Sequence, residues 1–342
     1  MAEVPVRVAV VLAGAVAKGA FEAGVLHALV RANVKIVRIV ASSSGALNGT
    51  MLAASVRARD LEGGTDKLVE LWRDHAGWTD VFAPKLRLLR TIQGVSDNAK
   101  VLALLRSQIA PIPVGEEINL RLLTAPLGGI TGTIGDHEAT TYEAVRDFTG
   151  ADFATAEALE QVFQTATASS AFPLVFAPVT LAGLGPCVDG GAVNNTPVAR
   201  ALEGPVGNDI DLVVVIATSV ELVTGPPPEL HGIALASHLG AMLIGERLYR
   251  DLRETEAANA SLARLTTLVE GGVIDQVQLG HVLTALDWAG RRQVKVVQIR
   301  PVEELPGSSF SGFFEPALRA RYIAAGEQRA RDVLAEVYLP AR

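Results

Sequence analysis

The chain has 342 residues, 49% of them hydrophobic and only 20% charged, with a formal charge of −7. That composition excludes a disordered or fibrous chain and leaves a globular protein with a large core. The acidic balance argues against a nucleic-acid partner, because a general nucleic-acid binder needs a basic surface to displace phosphate counterions. Cys187 is the only cysteine, so no intrachain disulfide can form. The histidines, at 27, 75, 137, 231, 238 and 281, nowhere stand at ligand spacing, so no metal or other cofactor is expected. No stretch approaches the ~20 apolar residues of a membrane span. Any membrane contact is therefore expected to be peripheral, on a cytoplasmic protein.

Arg7 to Leu12 (RVAVVL) reads as a short buried strand. Ala15-Val16-Ala17 beyond it resembles a signal-peptidase site, but Glu3 and a single Arg7 make a poor positive segment ahead of it. A first strand entering a glycine-rich loop, Gly14 to Gly19 (GAVAKG), is the better reading. A helix follows, with apolar positions at Phe21, Val25, Leu29 and Val30. The loop is not a phosphate cradle, since Lys18 precedes Gly19 and Ala20 stands where Ser or Thr is needed. Backbone amides in such a turn can serve an oxyanion; a plain tight turn is the alternative.

Lys35 to Val40 (KIVRIV) reads as a second buried strand, and ALNGTMLAASVRA as the next helix. Between them Ala41-Ser42-Ser43-Ser44-Gly45 places Ser43 on a sharp strand-to-helix turn with small neighbours. Acyl hydrolases hold a nucleophilic serine in this way, at a helix N-terminus where negative charge is favoured. A helix N-cap is the competing use of these serines.

Helical spacing returns at Thr65–Asp74 and Asn98–Ile109. Asn119–Ala125 reads as a strand, with a partner expected around Ala139–Tyr142. Thr155–Ala168 is helical, and Leu174–Thr180 and Pro186–Val188 read as short strands around a glycine turn. Asp211–Ala217 (DLVVVIA) is a strongly apolar strand. Gly225 to Pro228 (GPPP) is the sharpest break, ahead of a long helix from Ile233 to Ala263. Gln293–Ile299 is a last strand and Glu315–Val337 a closing helix. Strands alternating with helices imply a mostly parallel sheet. One domain over 1–342 is expected, with the loop, serine and aspartate within 5–200 and residues 230–340 belonging to the same unit.

Four segments in order resemble those of the patatin-like phospholipases. GAVAKG is similar to the family's GGGx[RK]G loop, with Gly14, Ala15 and Val16 where three glycines belong. ASSSGALNG is similar to its GxSxGALNG turn, ASSAFPLVFAPV (Ala168 to Val179) to AxSAxPxxFxPV, and VDGGAVNNTP (Val188 to Pro197) to DG[GA]xxxNxP. The resemblance implies an α/β/α three-layer fold and hydrolysis of ester bonds in membrane phospholipids or other acyl lipids. It implies Ser43 as nucleophile, Asp189 as general base, and the amides of Gly14, Ala15 and Val16 as the oxyanion loop. Val16 is the least comfortable replacement, because a β-branched side chain resists positive φ.

Two alternatives stand beside this. His231, His238 and His281 follow Asp189 in the order of a Ser-Asp-His triad, and a loop without its glycines also suits a catalytically weak lipid-binding protein. KLRLLR (Lys85 to Arg90) and SFSGFF (Ser309 to Phe314) are membrane-contact candidates; a solvated face or a loop packed on the core is the expected role of each.

Overall fold

The computed structural model describes residues 5–32, 34–84, 96–134, 136–207, 209–220, 232–286 and 288–337. The Lys85–Arg90 segment, the Gly225–Pro228 break and His231 lie outside the described residues.

β1 (Val6–Leu12) leads through a single 3-10 turn into α1 (Gly19–Leu29), and β2 (Val34–Ala41) leads directly into α2 (Ser44–Ala58). α3 (Leu61–Asp74) and the one-turn α4 (Trp78–Val81) follow. A two-residue pair, β3 (Ala83–Pro84) and β4 (Ser96–Asp97), precedes α5 (Ala99–Gln108). Next come β5 (Asn119–Pro126), a hairpin of β6 (Ile130–Ile134) and β7 (His137–Thr141), β8 (Ala144–Thr149) and α6 (Ala156–Ser169). β9 (Val179–Leu181) and β10 (Gly185–Asp189) lead to the short α7 (Val198–Ala201) and α8 (Gly204–Gly207), then β11 (Leu212–Ile216). The chain closes with α9 (Gly232–Glu270), α10 (Gln276–Ala285), β12 (Lys295–Ile299), α11 (Ser311–Phe314) and α12 (Pro316–Val337).

The central sheet has the order β12-β11-β1-β2-β5-β10-β9, with β8 also on β5. From β12 to β5 every pairing is parallel; β8, β10 and β9 add antiparallel pairs at the far side. Alternation along β1 divides the core. Val8, Val10 and Leu12 point into one layer with Phe21 of α1, Leu52 of α2, Leu68 of α3 and Tyr322 of α12. Ala9 and Val11 point into the other, with Val198 and Ala201 of α7 and Leu248 of α9. A strand buried on both faces reads as one apolar run, which is how RVAVVL reads. The architecture is thus a mostly parallel α/β sheet with helices on both faces. α1 and α12 touch backbone to backbone: a Cβ on Gly24 would overlap the Ile323 carbonyl, and one on Gly326 the Phe21 carbonyl. No helix among the described residues is long and apolar enough to cross a membrane.

Two sequence expectations need correction, and one helix lies outside them. The partner of β5 is β8, from Ala144, and not Ala139–Tyr142, whose first three residues end the β6–β7 hairpin. The hairpin strand His137–Thr141 carries no buried residue, whereas β8 offers Ala144 and Phe148 to the core. Leu174 begins no strand. Pro173 cannot donate to a ladder, the backbone of Leu174 has φ of +69°, and apart from a lone bridge between Phe176 and Ser96 the strand begins at Val179. Finally, α10 was not expected; its start signal is a capping box, Asp275 accepting from Gln278 N–H while the Gln278 side chain accepts from Asp275 N–H.

Candidate active site

Ser43 lies just past the carboxyl end of β2, where a parallel sheet opens its crevices. Its backbone has φ of +56° and ψ of −133°, a region that costs a non-glycine residue about 1–3 kcal/mol. Three contacts hold that strain. Ser42 N–H donates to the Leu12 carbonyl at 3.1 Å, Ser43 N–H donates to Ser169 Oγ at 3.0 Å, and Ala46 N–H donates to the Ser43 carbonyl at 2.9 Å. The turn aims the hydroxyl away from α2's own ladder.

Asp189 is the last residue of β10, opposite Thr124 of β5. Its N–H donates to the Ala171 carbonyl at 3.0 Å, so Ser169 at the end of α6 and Ala171 just beyond it hold Ser43 and Asp189 in place. Ser43 Oγ donates to Asp189 Oδ2 at 2.6 Å. Asp189 Oδ1 accepts from Gly191 N–H at 2.7 Å. Asp189 is only 2% exposed. Burial raises its carboxyl to about 7, while the bonds from Ser43 and Gly191 pull the other way. Position 190 must be glycine, since a Cβ there would overlap the Leu123 carbonyl and stand 2.9 Å from Ser42 Oγ.

The loop after β1 runs alongside. A Cβ on Gly14 would overlap Asn195 Oδ1 and lie 2.6 Å from Ser43 Cβ, so only glycine lets the loop approach the serine. Asn195 clamps it from the other side: its Nδ2 donates to the Gly14 carbonyl at 3.0 Å, and Gly14 N–H donates to the Asn195 carbonyl at 3.2 Å. Ala15 N–H donates to Ser44 Oγ at 2.9 Å. Val16 has φ of +51°, the left-handed conformation that its β-branched side chain resists. Among the described residues the Val16 N–H has no acceptor. Of the three amides expected in the loop, Gly14 and Ala15 are engaged and Val16 is free.

Ser43, Asp189 and Val16 line a cavity of about 100 Å³ that is otherwise almost wholly apolar. Its walls are Leu47 and Met51 of α2, Leu68, Leu71 and Trp72 of α3, and Val101, Leu104 and Leu105 of α5. Phe172, Phe176 and Phe313 complete it, and Phe172, 39% exposed, is the lining residue most open to solvent. A reactive hydroxyl beside a carboxylate, next to a hydrocarbon slot, suits acyl transfer from an apolar acid.

The expected residues Gly14, Ala15, Val16, Ser43 and Asp189 therefore come together. Among the described side chains no histidine bonds to Asp189, and His281 is exposed on α10. His238 falls within α9. Ser169 and Asn195 are supports that sequence reasoning left without a role, and Ser44, read there only as a possible N-cap, serves the Ala15 amide instead. Among the described residues no cluster of three or more His, Cys, Asp or Glu could hold a metal ion.

A family model described as patatin-like phospholipase matches residues 10–202. No curated protein matches the sequence. Among solved structures the chain is similar to VipD from Legionella pneumophila, with 12% identity, a TM-score of 0.40, and coverage of 97% of this chain and 67% of that one.

Proposed function

This chain belongs to the patatin-like phospholipase family, and from that premise we propose that it hydrolyses carboxylic ester bonds of phospholipids or related acyl lipids through Ser43 and Asp189. The observation that carries the reading is the 2.6 Å hydrogen bond from Ser43 Oγ to Asp189 Oδ2 at the wall of an apolar cavity.

The acyl chain lies in the slot between α2, α3 and α5, which brings its ester carbonyl beside Ser43. Ser43 Oγ attacks the carbonyl carbon as its proton passes to Asp189 Oδ2. Val16 N–H donates to the oxyanion, and the positive end of the α2 dipole favours the same charge. As the tetrahedral intermediate collapses, the C–O bond to the alcohol breaks and the alcohol leaves with the proton from Asp189. Water then attacks the acyl-Ser43 ester, giving its proton to Asp189. The bond from the acyl carbon to Ser43 Oγ then breaks, Asp189 returns the proton to Oγ, and the fatty acid leaves. A carboxylate with an ordinary pKa is a weak base for a serine; the burial of Asp189 makes it a stronger one.

A second reading has its own observation. With Ala15 N–H tied to Ser44 Oγ and Val16 strained, the loop offers one free donor, which suits a slow hydrolase or a lipid-binding protein. Turnover decides between them. Ser43→Ala and Asp189→Asn should each lower hydrolysis of a radiolabelled phospholipid by at least a thousandfold while keeping the native circular dichroism spectrum. His238→Ala and His281→Ala should stay within a few-fold of wild type. Undiminished hydrolysis by Asp189→Asn, or loss in either histidine variant, would contradict the two-residue site.

A further inference from the structure

Seven aromatic rings form one connected cluster beside the cavity. Trp78 stacks on Phe82 at 3.9 Å between centroids and on Phe314 at 4.9 Å. Phe82 meets Phe176 and Phe313, each at 5.2 Å. Phe310 joins Phe313 at 6.3 Å to Phe172 at 5.7 Å. Phe172, Phe176 and Phe313 line the cavity that holds Ser43, so the cluster is continuous with the site. Its outer members are open to solvent: Trp78 is 36% exposed, Phe172 39% and Phe314 59%. Leu174, two residues beyond Phe172, is 77% exposed and held at φ of +69°. The Ser309–Phe314 segment thus does two jobs. Phe313 packs inward, while Phe314 stays outside, and the Ser309 carbonyl accepts from Ala17 N–H at 3.0 Å, tying this rim to the loop that carries Val16.

An exposed apolar patch at the border of a hydrocarbon slot needs an occupant. We infer that the Trp78–Phe172–Leu174–Phe314 rim docks the protein on a phospholipid bilayer surface, so that an acyl chain leaves the bilayer for the cavity without crossing water. The inference rests on the acyl-lipid reading of the site. Two features favour a bilayer over a second copy of the chain. The four side chains expose on the order of 400 Å² if a large apolar side chain carries ~200 Å², about half the ~800 Å² per partner of a stable protein interface. A protein seated there would also cover the side of the cavity that Phe172 leaves open. Tryptophan and phenylalanine at a rim match the chemistry of the headgroup–acyl boundary. The charged neighbours are of both signs, Asp80 and Glu315 acidic and Lys100 bonded to the Thr79 carbonyl beside Trp78, so the docking rests on the apolar side chains.

Vesicle binding tests this without turnover. In a Ser43→Ala background, Leu174→Asn with Phe314→Ser should weaken co-sedimentation with phosphatidylcholine vesicles at least tenfold. Asparagine tolerates the left-handed backbone at 174. In the wild-type background the same pair should leave hydrolysis of a soluble short-chain ester within twofold and selectively lower hydrolysis of vesicle lipid. Unchanged vesicle binding would overturn the docking surface whatever the catalytic result. A wild-type dimer that becomes a monomer in the double variant, with vesicle binding intact, would overturn it in favour of a second copy. If soluble-ester hydrolysis were absent in wild type while vesicle binding followed the expected pattern, the docking surface would stand and the hydrolase reading would fall.

Discussion

Val16 is where sequence and geometry meet most sharply. Its place in the loop demands positive φ, which the family's glycine supplies at no steric cost and valine does not. The same side chain lines the cavity. Removing it therefore does two things: it relaxes the backbone and widens the slot beside Ser43. Because Gly14 and Asn195 already fix the loop on one side, and Ala17 and Ser309 on the other, the Val16 amide should keep its direction in Val16→Gly. The expected result is a shift in preference toward bulkier acyl groups, with kcat on a small ester changed by only a few-fold. Losing or misaligning one oxyanion donor typically costs ~100- to 1,000-fold. A uniform gain of about a hundredfold on short and long esters alike would show that the natural loop is misaligned, and would favour the lipid-binding reading.

At the scale of elements, a buried polar knot joins the helices that build the slot. Asn48 of α2 donates from Nδ2 to the Gly19 carbonyl at 3.1 Å and to Glu22 Oε2 of α1 at 2.8 Å, and accepts from Trp72 Nε1 of α3 at 2.7 Å. Burial raises the Glu22 carboxyl well above the usual carboxylate range, while the bond from Asn48 pulls it the other way. Trp72 is also a cavity wall, so the knot sets the width of the slot as well as the packing of three helices. Leaving one buried polar group unpaired costs ~1–3 kcal/mol. Asn48→Ala strips partners from three groups and should lower the free energy of urea unfolding by about 3 kcal/mol with an unchanged m value. A loss below about 1 kcal/mol would mean that the helices are fixed by apolar packing alone. None of this was legible beforehand: ALNG marks a helix start, and only the fold shows that Asn48 turns inward between α1 and α3.

Across the whole molecule, the parallel half of the sheet was easier to read than the antiparallel half. β1, β2 and β11 are largely buried runs bounded by turns and β12 is a half-buried edge strand, and local pattern suffices for those. β10 reads locally too, but the partner of β5 on its other side is chosen by which residues reach the core, as Phe148 of β8 does and His137–Thr141 do not. The site follows the same division. Ser43, Asp189 and the Gly14–Val16 loop stand in local segments that a sequence displays, whereas Ser169 as a partner of the Ser43 amide and Ser44 as a partner of Ala15 exist only once α6 and β1 are packed beside α2. The central claim is that Ser43 is activated by Asp189, whose buried carboxyl ionises near 7. Only the ionised form can take a proton, so activation should rise with pH through about 7 and level off above it. The direct measurement is the rate of Ser43 modification by a fluorophosphonate between pH 5 and 9, with the adduct located by peptide mass spectrometry. The expected result is a single adduct on Ser43, a rate climbing with a midpoint near pH 7, and near-complete loss in Asp189→Asn. An adduct on Ser42 or Ser44, or a rate in Asp189→Asn equal to wild type, would contradict it.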